Sequence, residues 1–235
     1  SSLKSILIYS IPGFLSKGMG FLLVPIYLSK LSIYEFGIFD LLLTSGMVLS
    51  CFAHLGWSES YIRYYNDKKI NTNNLIKTIL NYRITIQLIL LVLFFLIGPS
   101  NISQLIIRDS NLSIAFLIIV IDFILREYLM LYENSYRSLE KKYSYLIMQF
   151  SLIVIQPVMI LTFLLFFKLG LIGIIFGFAI SRFVVFLGLL ISDADLLIKG
   201  KFEFSILKKV LKYGAPLIPS AIAVMVITAS DRFMI

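Results

Sequence analysis

The chain has 235 residues, 59% of them hydrophobic and 14% charged, with a formal net charge of +8 and a mean hydropathy of +0.94. That balance excludes a soluble globular domain. One cysteine, Cys51, and one histidine, His54, exclude an intrachain disulfide and argue against a Cys/His metal cluster, so neither metal nor cofactor is expected.

Crossing a hydrocarbon core of about 30 Å takes roughly 20 helical residues, and apolar runs of that length recur along the chain. The first covers residues 5–28; it is too long for a signal peptide and lacks a small-residue cleavage site. Further spans are expected at 38–62, 76–98, 113–136, 145–167 and 170–192, with another beginning at 213. The fold class is therefore all-α integral membrane. Lysine and arginine set the orientation, because basic residues accumulate on the cytoplasmic side. Lys4, Arg63, Lys68, Lys69, Lys77, Arg83, Arg137, Lys141, Lys142, Lys199, Lys201, Lys208, Lys209 and Lys212 fall on one side, against Lys30, Arg108 and Lys168 on the other. This predicts a cytoplasmic N-terminus, and it makes the positive charge a sign of topology and not of nucleic-acid binding.

Two stretches open alike: Tyr9-Ser-Ile-Pro12 and Tyr213-Gly-Ala-Pro216. The expected organisation is a six-helix lobe over residues 1–198, an interfacial cytoplasmic linker helix over 199–212, and at 213–235 the first helix of a second lobe. In the linker, Phe204, Leu207 and Leu211 are expected on one face, with Lys208, Lys209 and Lys212 among the polar positions. The sequence thus reads as part of a longer two-lobed transporter. Its halves would be related by an axis along the membrane normal.

Charges at membrane depth are the candidate functional residues, since one ionised side chain at the bilayer centre costs at least about 2.5 to 3.5 kcal/mol. Lys17, Arg126 and Arg182 fall near the middle of their spans, and Arg83 lies in the cytoplasmic third of its own. Asp122, Arg126, Glu133 and Arg137 lie within about 60° of one another on a helix, forming a polar stripe in which Asp122 with Arg126 and Glu133 with Arg137 can pair at i,i+4. Lys17 and Arg182 have no opposite charge within a turn of their own helix. Each needs a partner on another helix, a wet cavity or an anionic ligand, and arginine suits phosphate through its planar donor fork. His54 beside Gly56 and Trp57 is either a hydrogen-bonded structural residue or a proton site. Glu59 and Arg63 are spaced for a structural pair. Pro12, Pro157 and Pro216 bend helices without specifying a function.

Three stretches carry a family resemblance. Gly13-Phe-Leu-Ser-Lys-Gly-Met-Gly-Phe-Leu-Leu-Val-Pro-Ile-Tyr-Leu28, followed by Leu31-Ser-Ile-Tyr-Glu-Phe-Gly-Ile-Phe-Asp-Leu41, opens the chain. Leu55-Gly-Trp-Ser-Glu-Ser-Tyr-Ile-Arg-Tyr-Tyr65 ends the second span, and Leu211-Lys-Tyr-Gly-Ala-Pro-Leu-Ile-Pro-Ser220, running on to Ala229-Ser-Asp-Arg-Phe233, opens the last. Together they resemble bacterial Wzx-type O-antigen and capsular polysaccharide flippases of the multidrug/oligosaccharidyl-lipid/polysaccharide exporter superfamily. The resemblance implies a V-shaped carrier of two lobes in the bacterial inner membrane that moves undecaprenyl-diphosphate-linked oligosaccharide to the periplasmic leaflet by alternating access. It implies membrane lipids, a coupling ion (H⁺ or Na⁺) and a polysaccharide polymerase with its chain-length regulator as candidate partners, with O-antigen and lipopolysaccharide as the product class. Arg232 matches the family motif but directly follows Asp231 near the periplasmic end of its helix, so a structural or gating salt bridge stands beside substrate contact as its expected role. Lys17, Arg126, Arg182 and Arg83 are the candidates for an anion-binding cavity.

Competing readings are a multidrug antiporter or a lipid-linked peptidoglycan precursor flippase of the same superfamily, and a membrane glycosyltransferase acting as polymerase or ligase. A cationic-drug carrier would favour unpaired acids in its lumen, whereas the unpaired charges here are basic. A glycosyltransferase needs a sizeable outward loop, and the longest expected one covers only residues 99–112. A non-enzymatic carrier is the expectation.

Overall fold

The computed structural model describes residues 2–54 and 56–233, with the side chains of 2–7, 49, 51–53, 111, 221, 225 and 228–233 left undescribed. The described residues form helices and no strand: α1 (Ser2–Lys30), α2 (Ile33–His54), α3 (Trp57–Tyr65), α4 (Thr72–Ile97), α5 (Pro99–Ile106), α6 (Ser113–Ser138), α7 (Lys142–Leu161), α8 (Gly170–Asp193), α9 (Asp195–Ile198), α10 (Phe204–Gly214) and α11 (Ile218–Phe233). Four of them are long and apolar enough to cross a membrane, over Ile8–Lys30, Thr72–Ile97, Lys142–Phe166 (α7 with the π-turn that ends it) and Gly170–Asp193. Helix α6, of 26 residues, is as long; what lowers its apolarity is the mid-helix trio Asp122, Arg126 and Glu127. The protein is an all-α integral membrane protein.

Local sequence explains where the helices start. Ser32 and Glu35 form a reciprocal capping box before α2: the Glu35 amide donates to Ser32 Oγ at 3.2 Å and the Ser32 amide donates to Glu35 Oε2 at 2.8 Å, satisfying two orphan donors. Asn71 caps α4 by accepting from the amides of Asn73 and Asn74 at 2.9 and 3.3 Å. Pro99 starts α5 at a position where its missing amide costs nothing.

The second span departs from the sequence expectation. One helix over 38–62 was expected, but the chain begins α2 at Ile33 and breaks after His54. Gly56 sits at the break with φ 68°, a left-handed conformation open to glycine at little cost. Its backbone lies so close to Gly214, at the end of α10, that a Cβ would collide with the Gly214 carbonyl. The continuous apolar run hides this junction from a periodicity reading.

Side chains pack into two apolar clusters. One, largely aliphatic, joins Leu42, Phe116, Ile119, Ile160, Ile174 and Ile175. The other is rich in aromatics and joins Trp57, Tyr61, Tyr132, Tyr136 and Tyr145 to Ile76, Ile79, Ile206 and Val210. Helices α7 and α8 approach closely because Gly177 faces Ile160, where a Cβ would lie 2.6 Å from the Ile160 Cα; small residues let membrane helices pack backbone to backbone. Outside, Phe14, Phe21, Leu96, Phe166 and Ile191 are each more than three-quarters exposed. An apolar exterior of this kind suits hydrocarbon and not water.

Helix α10 also differs from expectation. Its inward face is Ile206, Val210 and Gly214, set against α3 and α4, while Phe204 is 70% exposed. Apolar residues occur on two sides of this helix, and α3 and α4 take the side that the Phe204-Leu207-Leu211 reading left out.

Candidate substrate cavity

Helices α1, α2, α6, α7 and α8 enclose a cavity of about 480 Å³. Its polar lining comes from Ser16 on α1, Arg126 and Glu133 on α6, Gln149 and Gln156 on α7, and Arg182 on α8. Apolar residues including Leu23, Tyr27, Phe39, Leu152 and Phe178 complete the wall. Two guanidiniums therefore stand in a largely apolar chamber with neutral hydrogen-bonding groups beside them.

The two arginines are not equivalent. Arg182 Nη1 makes an ion pair with Asp122 Oδ2 across the α6–α8 seam, and the Asp122 side chain is 2% exposed. Arg126 has no carboxylate within ion-pair distance among the described residues, and its guanidinium lies 5.7 Å from the Phe123 ring centroid. The expected Asp122–Arg126 pair along α6 is thus replaced by a pair between helices, because Arg182 closes on the buried carboxylate from the facing helix. Arg126 is released to the cavity. The second expected pair does form: Arg137 Nη2 lies 2.7 Å from Glu133 Oε1.

Arg83 is corrected by the structure. Its side chain is 1% exposed; Nη1 donates to the Glu127 carbonyl at 2.5 Å and Nη2 to Glu127 Oε2 at 3.1 Å, while the guanidinium lies 4.4 Å from the Trp57 ring centroid. The guanidinium so engaged does not line the cavity. Lys17 is exposed on α1 and lies outside the lining, although Ser16 and Gly20 on either side belong to it. Arg232 lies in α11, and its side chain falls outside the described residues.

Glu127 is the residue that sequence reasoning left without a role. Ser50 Oγ and Trp57 Nε1 donate to its two carboxylate oxygens, each at 3.1 Å, beside the Arg83 contacts. Glu59 faces His54 at 3.4 Å in place of the expected Arg63. Gln149 and Gln156 were legible in principle, being polar residues seven apart on one face of an apolar helix.

Comparison with known proteins adds a family. Residues 2–235 match the family described as polysaccharide biosynthesis protein. The chain belongs to that family. No match was found among the curated proteins or among the solved structures. Membership in the polysaccharide biosynthesis family places a membrane-embedded, arginine-bearing cavity in a protein of polysaccharide assembly.

Proposed function

We propose that this polysaccharide biosynthesis protein is a flippase that carries undecaprenyl-diphosphate-linked oligosaccharide across the bacterial inner membrane by alternating access, with its N-terminus in the cytoplasm and no covalent chemistry. The observation that carries this reading is Arg126, a cavity guanidinium with no ion-pair partner among the described residues. An unneutralised cation at that depth is costly unless an anion meets it, and a diphosphate offers oxygens matched to the guanidinium fork. Gln149, Gln156 and Ser16 supply donors and acceptors for sugar hydroxyls. The prenyl chain can remain in lipid. O-antigen or capsular polysaccharide is the product class we favour, and a polymerase with its chain-length regulator would take the translocated lipid.

The test is complementation of polysaccharide surface display in a strain lacking its own flippase. Arg126→Glu is expected to abolish display while membrane insertion persists, and Arg126→Lys to retain part of it. Wild-type display by Arg126→Glu would overturn the reading.

A further inference from the structure

The α2–α3 break holds a second polar cluster, separate from the cavity. His54 faces two carboxylates through opposite ring nitrogens: Nε2 lies 3.4 Å from Glu59 Oε2 and Nδ1 lies 3.7 Å from Glu127 Oε2. Glu59 is 49% exposed and Glu127 2% exposed, so the row Glu59–His54–Glu127 runs from the surface into the interior. Imidazole can take up a proton and give it back. Small ring movements bring either carboxylate within hydrogen-bond range.

Charge balance points the same way. The described charged groups around His54 and Glu127 are Glu59 from α3 and Arg83 from α4, while Arg126, next in sequence to Glu127, lines the cavity. Helix α11 also touches α2, and its described side chains carry no charge. Among the described groups in direct contact with one another, two carboxylates face one guanidinium, and a proton on His54 balances that set.

The cluster also sits on a joint. Gly56, two residues after His54, touches the Gly214 backbone, and Ser60 Oγ is within hydrogen-bond reach of the Gly56 carbonyl at 2.9 Å and the Val210 carbonyl at 2.8 Å. The α2–α3 break therefore bears directly on the end of α10, where the chain runs through a 3-10 turn over Ala215–Leu217 into α11.

We propose that His54, held between Glu59 and Glu127, binds and releases a proton, and that its charge state sets how the α2–α3 break seats against the end of α10, coupling a proton to the transport cycle. The proton arrives on Nε2 from the exposed Glu59 side and leaves by the same route, so only the N–H bond at Nε2 and an O–H bond on Glu59 or water change, while the Glu127 carboxylate stays ionised against Arg83. The coupling rests on the flippase reading, whereas the proton site itself does not.

Trp57, the one tryptophan in the sequence, reports on the site. Its ring centroid lies 5.5 Å from that of His54, and an imidazolium quenches a neighbouring indole more than a neutral imidazole does. Emission of the purified full-length protein, with any tryptophan outside this sequence replaced by phenylalanine, is titrated between about pH 5 and 11. One reversible single-proton transition is expected, lost in His54→Gln and moved to lower pH in Glu59→Gln, which removes a facing negative charge. A wild-type protein without the transition, or a folded His54→Gln protein that keeps it, overturns the proposal; so does an unmoved Glu59→Gln transition.

In proteoliposomes loaded with lipid-linked oligosaccharide, an imposed proton gradient should accelerate flipping by wild type and leave His54→Gln unchanged. A His54→Gln variant that still responds to the gradient overturns the coupling. A protein that titrates at His54 but moves no lipid-linked sugar upholds the proton site and sinks the flippase reading.

Discussion

Asp122 on α6 is paired with Arg182 on α8, although Arg126 lies one turn away on its own helix. The pair pins the two helices together at cavity depth. Replacing Asp122 with alanine leaves Arg182 as an uncompensated cation, a change that costs about 3 to 5 kcal/mol in buried pairs. A clear fall in thermal stability of the detergent-solubilised protein is the expected result. Exchanging the two, as Asp122→Arg with Arg182→Asp, should recover part of it, and no recovery would mean that surroundings specify the orientation of the pair.

Arg83 and Glu127 make a second such test. Arg83→Met alone should destabilise the protein by about 3 to 5 kcal/mol, because Glu127 stays buried without its cation. Combined with Glu127→Leu, the loss should largely disappear. Arg83→Lys is expected to rescue poorly, since an ammonium cannot reproduce a planar fork that reaches a carbonyl and a carboxylate at once. Thermal scans of the three variants decide the matter.

Gly177→Ala places a Cβ 2.6 Å from the Ile160 Cα, so α7 and α8 must separate, at about 1 to 3 kcal/mol. Gly188→Ala on the same helix meets nothing within 4 Å and serves as control, with no stability loss expected. Equal effects of the two substitutions in a thermal assay would show that the α7–α8 contact is looser than described.

Lys17 and Arg126 should part company in function. Arg126 lines the cavity and Lys17 stands beside it on the open face of α1. Lys17→Glu is therefore expected to lower surface display less than Arg126→Glu at matched membrane levels. The reverse order would place the anion on the α1 surface.

Much of the fold was legible because membrane helices are long, apolar and obliged to satisfy their own backbone. The ends of α4, α6 and α8, and of α7 together with its π-turn, lie within a few residues of the expected limits. The α2–α3 break was not, since Leu55-Gly-Trp continues an apolar run and one glycine does not announce a left-handed turn. Charge pairing was the weakest part. Helical spacing shows which residues share a face, so Glu133 with Arg137 could be read directly, but Asp122 with Arg182 and Arg83 with Glu127 join different helices and need the packing to be known. Arg83 looked like a ligand for an anion because depth was visible and Glu127 was not visibly its neighbour.

The segment between α9 and α10 is tied down along its length. The Lys201 amide donates to Asn74 Oδ1 at 2.9 Å and the Glu203 amide to Thr78 Oγ1 at 3.0 Å; Asn74 Nδ2 donates to Glu203 Oε1, and Lys77 Nζ reaches the Leu197 carbonyl at 3.2 Å. A loose tether would let whatever follows it wander, and only its length would count. A strapped one behaves as a bracket: α10 is held to α4, and only the 3-10 turn Ala215–Leu217 separates that anchored helix from α11. Residues added in that short turn should therefore disturb the mechanics more than residues added to the turn at Asp67 to Lys69.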